Sequence, residues 1–258
     1  MTHSRRTFLA GVATTGAITI LPFAARADNH ESDVFMDGKI SVHPVAHASF
    51  VMETPSGVIY VDPVGAAADY AEFPAPDLIL VTHEHGDHFS LDVLNAIAGD
   101  TPMITNPAVY DKLPEALQGQ TTAIANGESM EAMGLTIDAI PAYNTTEERK
   151  NFHPLGRDNG YVLSMEGFRT YISGDTEPTP EMLALENIDL AFLCMNLPFT
   201  MDADQAAKAV NTFKPTYVYP YHYRGRDGGT QDPEYFASLV DEGTKVEFGD
   251  WYAPGELG

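Results

Sequence analysis

Seven residues, Thr82-His83-Glu84-His85-Gly86-Asp87-His88, follow directly on the apolar run Leu78-Ile79-Leu80-Val81 and gather three of the chain's nine histidines within six positions. Imidazole nitrogens and carboxylate oxygens in such density are ligands of the kind that suit zinc, manganese or iron. The spacing has a geometric meaning. Residues two apart on a helix point about 200° from one another, whereas at an extended strand end they project to the same side. A strand is therefore expected to deliver His83 and His85, and Gly86 to turn the chain so that Asp87 and His88 come round the same centre.

Two distant positions complete the pattern. Asp175, in Gly174-Asp175-Thr176, follows the expected strand Arg169–Ser173, and His222, in Tyr219-Pro220-Tyr221-His222-Tyr223, follows the expected strand Thr216–Val218. Both stand at predicted strand ends, where a layered α/β fold presents its chemistry. The chain offers no Gly-x-Ser-x-Gly elbow, and Cys194 is its single cysteine, so no protein nucleophile announces itself and no intramolecular disulfide can form.

The elements that must position these residues are legible in outline. Ile40–His43, Ser49–Glu53 and Val58–Val61 read as short antiparallel strands, the last two joined by a turn at Pro55-Ser56-Gly57. Leu78–Val81 is the strand that delivers the histidines. A helix is expected from the N-cap Ser90 to Ala98, with Leu91, Leu94 and Ile97 on one face and Gly99 ending it. Then come strand Met103–Thr105, helix Pro107–Leu113, strand Leu135–Ile140 and the hairpin Tyr161–Met165/Arg169–Ser173 turning at Glu166-Gly167. Strand Ile188–Leu193, helix Ala203–Phe213, strand Thr216–Pro220, helix Pro233–Asp241 and strand Lys245–Phe248 close the chain. Strands first in a meander and later alternating with helices predict two sheets between helical layers.

Ser4-Arg5-Arg6-Thr7-Phe8-Leu9 ahead of the apolar stretch Ala10–Ala24 reads as a twin-arginine export signal, with Ala25-Arg26-Ala27 as its cleavage site. Residues 1–27 are thus expected to be removed and 28–258 to form one domain in a bacterial periplasm. The run is interrupted by Pro22 and falls short of the roughly 20 residues that span a bilayer, so no stable membrane insertion is expected after removal. Export of an already folded chain lets a metalloprotein take up its ion in the cytoplasm. The formal charge of −23 disfavours nucleic acid and anionic membrane as partners and leaves a small-molecule substrate.

The motif His-x-His-x-Asp-His, with Asp175 and His222, resembles the metallo-β-lactamase superfamily over nearly all of the chain beyond residue 27. His47-Ala48-Ser49-Phe50, Val61-Asp62-Pro63, Pro141-Ala142-Tyr143-Asn144, Ser173-Gly174-Asp175-Thr176 and Pro220-Tyr221-His222-Tyr223 are similar to the branch of ascorbate-6-phosphate lactonase-like and N-acyl-phosphatidylethanolamine phospholipase D-like hydrolases. The resemblance implies an α/β four-layer αββα sandwich, the metallo-hydrolase/oxidoreductase fold, holding one or two divalent ions: zinc, with manganese or iron as alternatives. It implies that His83 and His85 bind a first ion, Asp87 and His88 a second, that Asp175 bridges them and that His222 completes the second. Where the superfamily has an intermediate histidine this chain has Asn144, a poorer ligand. His153, on the loop that follows, is either its replacement, a substrate contact or a surface residue. His47, Asp62, Tyr223 and Arg224 are expected behind the ligands or on the substrate side.

The function expected on these grounds is metal-dependent hydrolysis of an ester-like bond, a lactone or a phosphodiester, in a small anionic molecule. A cation-held hydroxide would attack, with Asp87 as the catalytic carboxylate. Arg149, Lys150, Arg157, Arg224 and Arg226 are candidates for an anion clamp, Tyr143 and Tyr223 for the pocket walls, and the loop Asn144–Asp158 for a lid. Two other readings remain: a non-catalytic periplasmic metal- or partner-binding protein on the same fold, and β-lactam hydrolysis, against which Asn144 and the branch resemblance argue.

Overall fold

The computed structural model describes residues 33–252; the export signal read at residues 1–27 lies outside them. The described strands form two seven-stranded sheets, each running in strict chain order. The first holds β1 (Asp33–Phe35), β2 (Ile40–Ala46), β3 (Ser49–Thr54), β4 (Gly57–Val61), β5 (Leu78–Val81), β6 (Met103–Thr105) and β7 (Thr121–Ala123). The second holds β8 (Ser129–Ala132), β9 (Leu135–Ala142), β10 (Asp158–Met165), β11 (Phe168–Ile172), β12 (Leu190–Cys194), β13 (Tyr217–Tyr221) and β14 (Lys245–Val246).

The two sheets share one topology. In each, four strands pair antiparallel and the fourth then begins a parallel set of four: β1 to β4 and β4 to β7 in the first, β8 to β11 and β11 to β14 in the second. The β2–β3 turn of the first half therefore corresponds to the β9–β10 loop of the second, and the end of β4 to the end of β11.

Alternation along the strands assigns the layers. Phe50, Met52, Leu78 and Leu80 point into a core shared with Ile137, Tyr161, Phe192 and Tyr219 of the second sheet, where Phe50 stacks on Phe192 with ring centroids 4.1 Å apart. Val51, Ile79 and Val81 point the other way, onto Val93 and Leu94 of α1 (Leu91–Ile97) and onto the single turns α2 (Pro107–Tyr110) and α3 (Glu115–Gln118), with Val109 and Leu117. The second sheet is covered by α4 (Pro180–Leu183), α5 (Ala203–Phe213) and α6 (Pro233–Leu239); Phe213 of α5 meets Tyr171 of β11 edge-on. The result is the expected four-layer αββα sandwich. The helix expected over Pro107–Leu113 stops at Tyr110, and α6 stops at Leu239. No helix among the described residues is long and apolar enough to cross a membrane.

Candidate metal centre

Every chemistry-bearing residue singled out in the histidine motif sits past the carboxyl end of a parallel strand, where open α/β sheets place their ligands. His83 to His88 leave β5, Asp62 ends β4, Asp175 follows β11, and His222 follows β13. The backbone is bent to do this. Asp62 and His222 take φ of 45° and 49°, and His47, in the β2–β3 turn, takes 55°, a left-handed conformation uncommon outside glycine and often found where function requires it. At Gly174 (φ 58°) a Cβ would stand 2.9 Å from the Asn159 carbonyl oxygen, so only glycine lets Asp175 reach its place.

Three groups of candidate ligand atoms converge: His83, His85 and His153; His47, Asp87 and His222; and His83, His88 and Asp175. Asp175 faces both sides. Its Oδ2 lies 3.5 Å from His153 Nε2, while Oδ1 lies 3.3 Å from His88 Nε2 and 3.5 Å from His222 Nε2. Asp87 Oδ2 lies 3.4 Å from His222 Nε2 and 3.5 Å from His47 Nε2.

Partners behind the ligands fix the imidazoles. The Asp62 carboxylate accepts from the Thr82 N–H (2.7 Å), the Thr82 hydroxyl (2.6 Å) and His88 Nδ1 (2.7 Å). With its proton directed at Asp62, the Thr82 oxygen accepts from His83 Nδ1 at 3.0 Å. Asp158 does the same for His153, accepting from Nδ1 at 3.0 Å. Each ring thus turns Nε2 toward the centre, the pattern by which carboxylates orient metal-binding histidines.

Those nitrogens have nothing else to do. His83, His88, His153 and His222 Nε2 and Asp175 Oδ1 are buried without a hydrogen-bond partner, which packing alone does not tolerate. Separations of 3.3–3.5 Å match the edge of a ligand tetrahedron about 2.1 Å in radius. The donor set therefore fits divalent cations. Burial and the neighbouring His88 hold the His83 imidazole well below its ordinary pKa, leaving a lone pair available. Burial would lower His88 too, but the carboxylates of Asp175 and Asp62 outweigh it and raise His88 well above the usual range; the same negative field attracts a cation, which would displace that proton.

Above this floor opens a cavity of about 700 Å³, lined by His47, His85, Asp87, His153 and Asp175 and walled by Phe152, Phe199, Arg224, Arg226 and Tyr252. The sequence profile of the "Beta-lactamase superfamily domain" matches residues 41–222, which contain every ligand candidate. The chain belongs to the metallo-β-lactamase superfamily. It is similar to a UPF0173 metal-dependent hydrolase of Thermococcus onnurineus, 34% identical over 227 residues covering 84% of this chain and 98% of that protein. A crystal structure of a Parabacteroides distasonis protein assigned to the metal-dependent hydrolases superposes with a TM-score of 0.75 at 41% identity, over 86% of this chain and 98% of the other. Igni18, a metallo hydrolase of Ignicoccus hospitalis, shares the fold at 24% identity and a TM-score of 0.68, covering 84% and 96%.

Against that superfamily pattern, the departure at Asn144 has a structural counterpart. Asn144 is a loop anchor here: its side-chain amide donates to the Phe199 (2.6 Å) and Arg149 (3.0 Å) carbonyls, and its backbone N–H to His153 O (2.9 Å). Those bonds bring His153 beside His83 and His85 instead. The loop expected as a lid is tied down, with Glu177 accepting from the Thr145 and Thr146 amides and pairing with Arg149 at 2.7 Å. It forms a wall of the cavity through Phe152 and His153.

Most of the expected anion clamp is spent elsewhere. Arg149 holds Glu177 and the Thr200 carbonyl, Lys150 pairs with Glu147, and Arg157 neutralises Asp158. Arg224 and Arg226 alone of the five line the cavity, Arg226 lying 5.9 Å over the Phe199 ring. Tyr143 bonds Glu181, and Tyr223 packs edge-on against Tyr252 at 4.9 Å, so Tyr252 is the tyrosine that faces the cavity. Asp158 and Tyr252 belong to no motif in the sequence; an acid five residues after His153 is the one local signal, and it marks Asp158 alone.

Cys194 lies beneath the centre, fully buried, its thiol 3.5 Å from the Thr176 carbonyl. Burial and the nearby Asp175 push it up to about 12, and a thiol that stays protonated is inert. Native protein treated with iodoacetamide at pH 8 is expected to stay unlabelled by mass spectrometry while denatured protein is alkylated fully; rapid native labelling would show Cys194 exposed.

Proposed function

We propose that this chain is a metal-dependent hydrolase that cleaves an ester-like bond, a lactone or a phosphodiester, in a small anionic molecule. The observation that carries the reading is Asp175 standing between two ligand clusters, one oxygen toward each, on the floor of a cavity walled by two arginines. His83, His85 and His153 would hold one cation, Asp87, His88 and His222 the other, and Asp175 both. A cation pair so held lowers the pKa of water toward about 7 and polarises the bond under attack.

The chain's own groups supply orientation and recognition. Burial alone would raise the Asp87 carboxyl, but the His222 and His47 imidazoles beside it hold it below the usual carboxylate range. On the cavity floor, the Asp87 carboxylate is placed to accept a hydrogen bond from the attacking water and aim it. Arg224 and Arg226 suit a carboxylate or phosphate on the substrate, and Phe152 with Phe199 shields an apolar part from water. The names of the relatives support hydrolysis over a purely binding role. The motifs around His47, Asp62 and His222 support the lactonase-like and phospholipase D-like branch, and the twin-arginine pattern supports a periplasmic site of action.

The test is elemental analysis of the protein, then turnover of a lactone panel and bis-p-nitrophenyl phosphate with the metal found, a chromogenic cephalosporin serving as the β-lactam comparison. A loaded protein that hydrolyses none of the esters would overturn the reading. On an anionic substrate, Arg226→Ala is expected to raise KM about 10–100-fold with little change in kcat, the loss of one charge-assisted contact of about 1.5–3 kcal/mol; an unchanged KM would place the anion elsewhere.

A further inference from the structure

We infer that His47 binds the second cation directly, as its fifth protein ligand beside Asp87, His88, Asp175 and His222. The inference rests on the two-cation reading above and deepens it. His47 Nε2 lies 3.5 Å from Asp87 Oδ2, the separation at which His222 Nε2 approaches the same oxygen (3.4 Å), and the His47 and His222 rings lie 3.8 Å apart. The ligand atoms of His47, Asp87 and His222 all lie within 4.8 Å of one another, as do those of His83, His85 and His153.

The far side of the ring is built for ligation. His47 Nδ1 lies 2.7 Å from the Tyr252 hydroxyl oxygen, which also accepts from the Arg224 N–H at 3.1 Å. A phenol oxygen has room for two donors, so Nδ1–H can donate to Tyr252 and leave the Nε2 lone pair facing Asp87. The backbone is fixed as well: His47 N–H donates to Trp251 O, His47 O accepts from the His222 N–H, and φ is 55°.

The repeated topology gives an independent reason. His153 occupies the β9–β10 loop, and His47 occupies the corresponding β2–β3 turn of the other half. Each half would then lend one hairpin histidine, His153 to the first cation and His47 to the second. Zinc sites do expand from four ligands to five.

The experiment is equilibrium dialysis of the full metal-free chain against buffered zinc and cobalt, read by elemental analysis and by the visible cobalt spectrum, for wild type, His47→Ala, His47→Gln and Tyr252→Phe. Circular dichroism of each metal-free variant checks folding. Wild type is expected to hold two ions. His47→Ala and His47→Gln are expected to keep the first ion at unchanged affinity and weaken the second by more than about 100-fold, beyond the 10–100-fold that loss of an outer partner costs. Tyr252→Phe, which keeps the imidazole, is expected to weaken the same ion by about 10–100-fold. Second-ion affinity and cobalt spectrum unchanged in the folded variants would overturn the assignment of His47 alone. A wild-type chain holding one ion would overturn the two-cation reading and this inference together.

Discussion

Asp175→Ala is expected to lose both cations and hydrolysis in a single step, with kcat/KM falling by at least about 10³, about 4 kcal/mol of transition-state stabilisation. The size follows from position. Asp175 is buried, presents one oxygen toward His153 and the other toward His88 and His222, and no other carboxylate among the described residues faces both clusters. Burial would raise its carboxyl, but His222 and His88 outweigh that effect and hold it well below the usual range. Elemental analysis alongside steady-state kinetics checks the expectation. A folded Asp175→Ala variant with two ions and activity within tenfold of wild type would show that the clusters work separately.

The second large effect falls on stability. Asp62→Ala is expected to destabilise the protein by about 3–5 kcal/mol, because it strips the partner from a buried His88 and from two Thr82 donors at once. In a chain of this size that corresponds to about 6–20 °C in the melting temperature. Asp62→Asn, which keeps one acceptor oxygen, is expected to melt closer to wild type while binding metal about 10–100-fold more weakly. Thermal melts with and without metal separate the two effects; a wild-type melting curve for Asp62→Ala would mean that Thr82 and His88 find other partners.

How far the sequence foretells this depends on which force sets each feature. β3, β4, β5, β11 and β12 show in the sequence because apolar side chains must cover both faces of a central strand, and α1 and α5 because their apolar stripes and caps are local. β7 and β8 do not: Thr121–Ala123 and Ser129–Ala132 are half-exposed edge strands with little apolar content, held by a neighbour's backbone. The histidine motif is readable because all its ligand types lie within six positions directly after a buried strand, on one short turn closed by His88 N–H and Phe89 N–H on the His85 carbonyl.

The remote contributions were harder to read. His153 reaches its place through Asn144, Asp158 and the Glu177–Arg149 pair, a set of long-range bonds with no local signature. The same holds for Arg149 and Arg157, whose sequence position suggested a substrate clamp and whose charge is consumed by Glu177 and Asp158. His47 depends on a tyrosine 205 positions away.

Each of the three candidate ligand groups draws two members from the first sheet's half and one from the second's: His83 and His85 with His153, His47 and Asp87 with His222, His83 and His88 with Asp175. A pair of ions seated there would act as rivets through the sandwich. Neither half could then slide, peel or melt without breaking bonds that both halves share, so loading would tighten the coupling between the sheets and add RT ln(1 + [L]/Kd) for each ion to their joint resistance to unfolding.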